Sequence, residues 1–134
     1  MYDNLPYDLF QSVNVMIRCY LLSGAFGRAV HFINSNKLQT KSKQFFFYLL
    51  YCQVQLKDWI SAEHSLLDYD DGLTGPYSDE LGDGNDLEIL YSRIEHLKAK
   101  VYEALEQRET ASDYYCNAVG KWLSLTDICH SNRY

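Results

Sequence analysis

YCQVQLKDWISAEHSLL, residues 51–67, decides the fold. It reads as the end of one helix, a polar step at Lys57–Asp58, and the start of a second helix centred on Ala62. The same arrangement occurs twice more. CYLLSGAFGRAVHFI, residues 19–33, centres on Ala29, and AKVYEALEQRETASDYYCNAV, residues 99–119, centres on Ala111. Ala29 and Ala62 lie 33 residues apart, close to the period of about 34 of a tetratricopeptide hairpin. Ala62 and Ala111 lie 49 apart, one such period plus about fifteen residues. The excess coincides with the acidic, Gly-bearing stretch Tyr69 to Leu87, so one repeat boundary carries an insertion.

Each unit has the logic of two packed helices. In the third, Ala99 and Tyr102 are three apart on the first helix and share a face, as do Ala111, Tyr115 and Ala118 on the second. The small residues let the helices approach, and the tyrosine fills what space remains. Tyr20, Gly24, Phe26, Ala29 and Ile33 occupy the corresponding places in the first unit. Leu50, Trp59, Ala62 and Leu66 do so in the second, where Gln53 stands in place of the tyrosine. The expected fold is all-α, a tetratricopeptide-type solenoid of about three helical hairpins forming a single domain over 1–134. Repeats fall near 7–38, 42–70 and 88–123, with an acidic loop insertion at 69–87. Helices are expected near 7–22, 26–37, 42–56, 58–69, 88–105 and 108–123. Asp58 is a candidate N-cap, and Thr40 or Ser42 another. FFFYLL at 45–50 has the composition of a strand, but it lies in a breaker-free segment and reads as helix. Beyond Ser124 helical content looks weak.

Composition narrows the function. The chain has 134 residues, 47% hydrophobic and 22% charged, as in ordinary soluble domains. Its aromatic content of 15% supplies large wedges between helices. A net charge of -6 disfavours nucleic acid or an anionic membrane as partner. Much of that charge is local. Eight of the 18 acids lie between Asp68 and Glu88, leaving ten against 12 Lys and Arg elsewhere. Cys19, Cys52, Cys116 and Cys129 form no C-x-x-C pair, and no apolar stretch approaches the roughly 20 residues of a membrane span. Reduced thiols in the cytoplasm or nucleus are expected.

No catalytic or ligand motif emerges. The four histidines, at 31, 64, 96 and 130, lack metal-ligand spacing, and adjacent Cys129 and His130 suit neither zinc nor a dyad. Asp79, Asp83, Asp86, Gly84 and Glu88 do not follow the calcium-loop pattern, so that segment reads as a solvated loop. The glycines form neither a P-loop nor a dinucleotide fingerprint. An enzyme is therefore not expected, nor any cofactor or metal. What remains is the repeat surface, which makes protein the expected partner. The first helix is apolar on more than one side, through Leu9, Phe10, Val13, Val15, Met16, Ile17, Leu21 and Leu22. Such a helix is normally buried, either by the next helices or by a partner. Trp122 and Leu123 likewise end the last repeat where a following repeat would stack.

Two stretches carry a family resemblance: GAFGRAVHFINSNKLQTKSKQFFFYLLYCQVQLKDWISAEHSLLD, residues 24–68, and LKAKVYEALEQRETASDYYCNAV, residues 97–119. They resemble the amino-terminal repeats of the cell division cycle protein 16 homologues, tetratricopeptide scaffold subunits of the anaphase-promoting complex, or cyclosome. The carriers are the R-A-x-H phrase at Arg28–His31 and, in the third unit, Tyr102, Ala104, Leu105, Arg108 and Ala111. The polar insertion also looks like that family's. Members are far longer. The resemblance implies a non-catalytic scaffold in mitotic cell-cycle control, found in nucleus and cytoplasm. Its partners would be other cyclosome subunits and a second copy or a full-length relative. The family's amino-terminal repeats dimerise, which singles out Leu9, Val13, Met16, Ile17 and Tyr20 as the expected contact. The other reading is a free adaptor that binds the peptide tails of chaperones or other proteins. It needs a basic clamp, for which Lys98, Lys100 and Arg108 are the available bases, but these are not repeated at equivalent positions in the first two hairpins, which favours the scaffold.

Overall fold

The computed structural model describes the backbone of residues 6–69 and 84–131. These form α1 (Tyr7–Leu22), α2 (Phe26–Ser35), a short 3-10 turn (Leu38–Thr40), α3 (Lys43–Gln55), α4 (Trp59–Asp68), α5 (Gly84–Ala104) and α6 (Arg108–Ser131). The acidic stretch from 70 to 83 lies outside the described residues. α1 packs on α2, α3 on α4 and α5 on α6. Between these pairs, α3 lies against α1 and α2, and α5 against α3 and α4. The protein is thus all-α, with paired helices stacked in sequence.

The three hairpin turns are the same turn. Each closes with a backbone bond across the helix end: Ala25 N–H to the Tyr20 carbonyl at 2.8 Å, Asp58 to Gln53 at 3.0 Å, and Gln107 to Tyr102 at 2.9 Å. Each passes through a left-handed residue, Gly24 (φ 76°), Lys57 (φ 56°) or Glu106 (φ 64°). This reversal satisfies carbonyls that the ending helix leaves without partners. The next helix then opens with Ala29, Ala62 and Ala111 each donating four residues back. The three alanines that centre the sequence repeats therefore hold identical structural positions. All three are buried, as is Ala99 on α5.

Local chemistry explains most boundaries. The Ser42 hydroxyl accepts from the Gln44 and Phe45 N–H groups and caps α3, while Thr40 instead turns its hydroxyl back to the Lys37 carbonyl at 2.7 Å. The Asp58 carboxylate accepts from Ser61 N–H at 3.3 Å and caps α4. Two ends differ from expectation. α5 starts at Gly84 rather than near 88, because Gly84 is the first breaker met going back from Leu90. α6 runs on to Ser131, since no Gly or Pro follows Gly120 and an established helix propagates at little cost.

α3 is the centre of the stack. Eight of its 13 residues are buried, so it is apolar nearly all round, as a helix covered on both sides must be. Phe45, Tyr48 and Leu49 face the first hairpin, where they meet Phe10, Ile17, Ile33 and Leu38. Phe46, Leu50 and Val54 face the other way, into Ala62, Leu90, Ile94, Leu97 and Val101. The strand-like composition of FFFYLL is that of a two-sided core helix. Phe10 and Phe45 pack at 5.1 Å between centroids, and Phe46 stacks on Tyr69 at 3.9 Å.

Candidate assembly faces

Leu9, Val13, Met16 and Tyr20 follow one another at helical spacing and form one flank of α1. Leu9 is about half exposed (52%), and the other three are partly buried, with Val13 also packed against the first core. Ile17 does not belong with them. It has no exposed surface and is locked into the core against α3, so it is a packing residue rather than an accessible contact. Its position on α1 matches those of Phe10 and Leu21, which turn toward α2 and α3. The covering of the first helix is therefore internal on one side and incomplete on the other.

Repeat equivalence identifies another part of that open side. α3 presents Phe45, Tyr48, Leu49 and Cys52 at the positions that α1 fills with Ser12, Val15, Met16 and Cys19. On α3 three of these residues pack against the preceding hairpin, and on α5 the equivalent Ile94, Leu97 and Val101 do the same. On α1 Ser12, Val15 and Cys19 are exposed, Val15 by about half, and Met16 is partly buried. Sequence reading placed Val15 only within a general apolar surplus. The repeat spacing itself would have assigned it to this end face.

The opposite end carries a groove of about 660 Å³. Ala111, Tyr115, Val119 and Leu123 run along one edge, with Ser112, Cys116 and Gly120 four residues apart beside them. Small residues at that spacing make a shallow channel along α6. In the first two hairpins, the face around Ala29 or Ala62 is covered by the next helix, α3 or α5. No described helix covers it on α6. Ala118 is buried and Tyr115 half-buried, while Val119 and Leu123 are exposed. The Trp122 side chain lies outside the described residues.

The bases proposed for a tail-binding clamp are not brought together. Lys98 is buried between Tyr69 and Tyr114, 5.4 and 5.3 Å from their centroids, with Glu95 at 3.5 Å. It ties the second hairpin to the third. Lys100 is exposed, and Arg108 lines the α6 groove. A different pair does converge: Arg18 and Arg93 line one groove between α1, α3 and α5, together with Asn14, Gln44 and Tyr48. Their separation by 75 residues hid this from the sequence.

Burial pushes the Cys52 thiol up to about 12, which keeps it protonated and inert. Tyr48 is raised by burial, against a smaller lowering from its bond with Gln44 and from Arg18. His96 is lowered by burial and by Lys100. Among the described residues no group of three or more His, Cys, Asp or Glu is placed to hold a metal, and no helix is long and apolar enough to cross a membrane.

Fold and surface together define an all-helical hairpin array whose distinctive features are two open end faces. The chain is 30% identical over 125 residues to the protein described as anaphase-promoting complex subunit 6 of Arabidopsis thaliana. That match takes in 87% of this chain and 22% of the plant protein, so the chain spans about a fifth of its relative's length. No protein-family model and no solved structure matches the chain. The protein is thus distantly related to a subunit of that complex.

Proposed function

We propose that the chain is a tetratricopeptide-type scaffold that works by holding other proteins, in the manner of an anaphase-promoting complex subunit. The observation that carries this is the threefold hairpin, with identical turns and equivalent alanines, in a chain related over most of its length to subunit 6. The single domain would comprise repeats near 7–38, 42–70 and 88–123. Its partners are other subunits of the complex and a second copy or longer relative. Self-association uses the open side of α1, through Leu9, Val13, Met16 and Tyr20, and the place of action is nucleus and cytoplasm. Ubiquitin-transfer chemistry belongs to other proteins. The test is affinity purification of the tagged chain from dividing cells with mass spectrometry. Recovery of cyclosome subunits supports the proposal, and their absence refutes it. Sedimentation tests self-association separately: Leu9→Glu with Met16→Glu should convert dimer to monomer without unfolding. A wild-type monomer at micromolar concentration sinks that part.

A second reading, an adaptor for peptide tails, draws on the Arg18–Arg93 groove. Neither side chain has an acidic partner among the described residues. Two guanidiniums suit a carboxylate. Recovery of chaperones without cyclosome subunits would favour this reading, provided that Arg18→Ala with Arg93→Ala abolished it.

A further inference from the structure

Gln53 departs from the repeat, and so does its counterpart across the hairpin. Its position holds Tyr20 in the first hairpin and Tyr102 in the third. Twelve residues on, the second helix of each pair supplies Phe32, Ser65 and Tyr114. Tyr102 and Tyr114 stack at 5.5 Å with their planes 15° apart, and Tyr20 and Phe32 border a common groove. In the second hairpin the aromatic pair is replaced by Gln53 and Ser65. They border a groove of about 540 Å³, walled on its far side by the 3-10 turn.

The polar groups of that groove are incompletely paired. Gln53 is only 3% exposed, and its Oε1 has no hydrogen-bond partner. Gln39, on the facing wall, also has an unpaired buried Oε1, while its Nε2 makes a long 3.4 Å contact with Asn34. A buried acceptor without a donor is costly and uncommon in folded proteins. Phe46 and Leu49 form the floor of the groove but are about 1% exposed each, so the accessible apolar surface beside these amides is the half-buried Tyr69 ring. Among the described residues Asp68 is the one acid lining the groove, and no Lys or Arg lines it.

We propose that this groove binds an extended segment of a partner polypeptide, with a peptide unit held by the Gln39 and Gln53 carboxamides and an apolar side chain against the Tyr69 ring. A carboxamide offers both a donor and an acceptor, the complement of a peptide unit. Its terminal torsion is broad and roughly two-fold, so either end can turn toward the ligand. Asp68 makes the preferred segment neutral or basic. The opposite sign distinguishes this groove from the Arg18–Arg93 groove. The site lies between the end faces, so its failure would leave the scaffold proposal standing.

The test uses the full chain and N-acetyl-leucine N-methylamide, one peptide unit on either side of one apolar side chain. The probe should shift the side-chain amide resonances of Gln39 and Gln53 saturably. Gln53→Leu keeps similar bulk, removes the carboxamide, and should weaken binding by roughly tenfold. Its melting temperature should not fall, because an unpaired oxygen is lost. Ser65→Tyr should fill the groove from α4 and abolish binding, even if Gln53 variants fold poorly. N-acetyl-leucine, with its free carboxylate, should bind here more weakly than the neutral probe. Unshifted glutamine resonances at the solubility limit of the probe would overturn the proposal. So would equal binding by the folded Gln53→Leu variant.

Discussion

Glycine at the second and third hairpin turns should stabilise the chain, and alanine at the first should destabilise it. Lys57 and Glu106 sit at φ 56° and 64°, where Gly24 sits at φ 76°. A Cβ in left-handed backbone costs about 1–2 kcal/mol. Glycine returns roughly 0.4–1 kcal/mol of that by loosening the unfolded chain. The net gain for Lys57→Gly or Glu106→Gly is then about 0.5–1 kcal/mol. Gly24→Ala should lose a similar amount. An added Cβ there meets nothing within 4 Å, so backbone strain is its whole cost. For a chain of this size 1 kcal/mol moves the melting temperature by about 3–5 °C. Thermal unfolding followed by circular dichroism resolves such shifts. The two glycine substitutions share no partner and should add within about 0.5 kcal/mol. Lys57→Asn, which tolerates this backbone, should fall between lysine and glycine. A lower melting temperature for either glycine variant would refute the equivalence of the three turns. So would an alanine at 24 that costs nothing.

Ile17→Ala should cost about 2–5 kcal/mol in thermal melts, whereas Leu9→Ala should stay within about 0.5 kcal/mol. Comparable losses would mean that the division of α1 into core and open flank is wrong. Thiol labelling of the folded chain should modify exposed Cys19 and Cys116 quickly and leave Cys52 untouched until unfolding; early labelling of Cys52 would contradict its burial. His96 titrates below its usual 6.5 because burial and Lys100 disfavour its charged form. The unfolded chain then binds the proton more readily, so stability from this group is present above pH 6.5 and declines as pH falls below it. His96→Gln should flatten that part of the pH dependence of the melting temperature, and an unchanged slope would assign it elsewhere.

The periodic part of the fold was legible because it is written in local spacing. Ala29, Ala62 and Ala111 fixed the hairpins, and Ser42 and Asp58 marked two helix starts. Burial was harder to read. Ile17 and Leu9 look alike as apolar residues on one helix, and only the placement of α3 separates them. Gln53 stood out as a missing tyrosine, but its consequence depended on Ser65 on the next helix and Gln39 on the preceding turn. Lys98 looked like a surface base until Tyr69, at the end of α4, and Tyr114 on α6 closed over it. The Arg18–Arg93 groove likewise exists only once α1, α3 and α5 lie side by side.

Stacking in sequence also makes the molecule mechanical. Each hairpin meets its neighbours in the chain, and among the described elements α3 alone belongs to both cores. Load applied at the two ends passes through these interfaces in series, as along the coils of a spring. Extension should peel hairpins away singly, and the last to yield should be α3, whose aromatic faces grip in both directions. Such a chain gives way in instalments and can recoil.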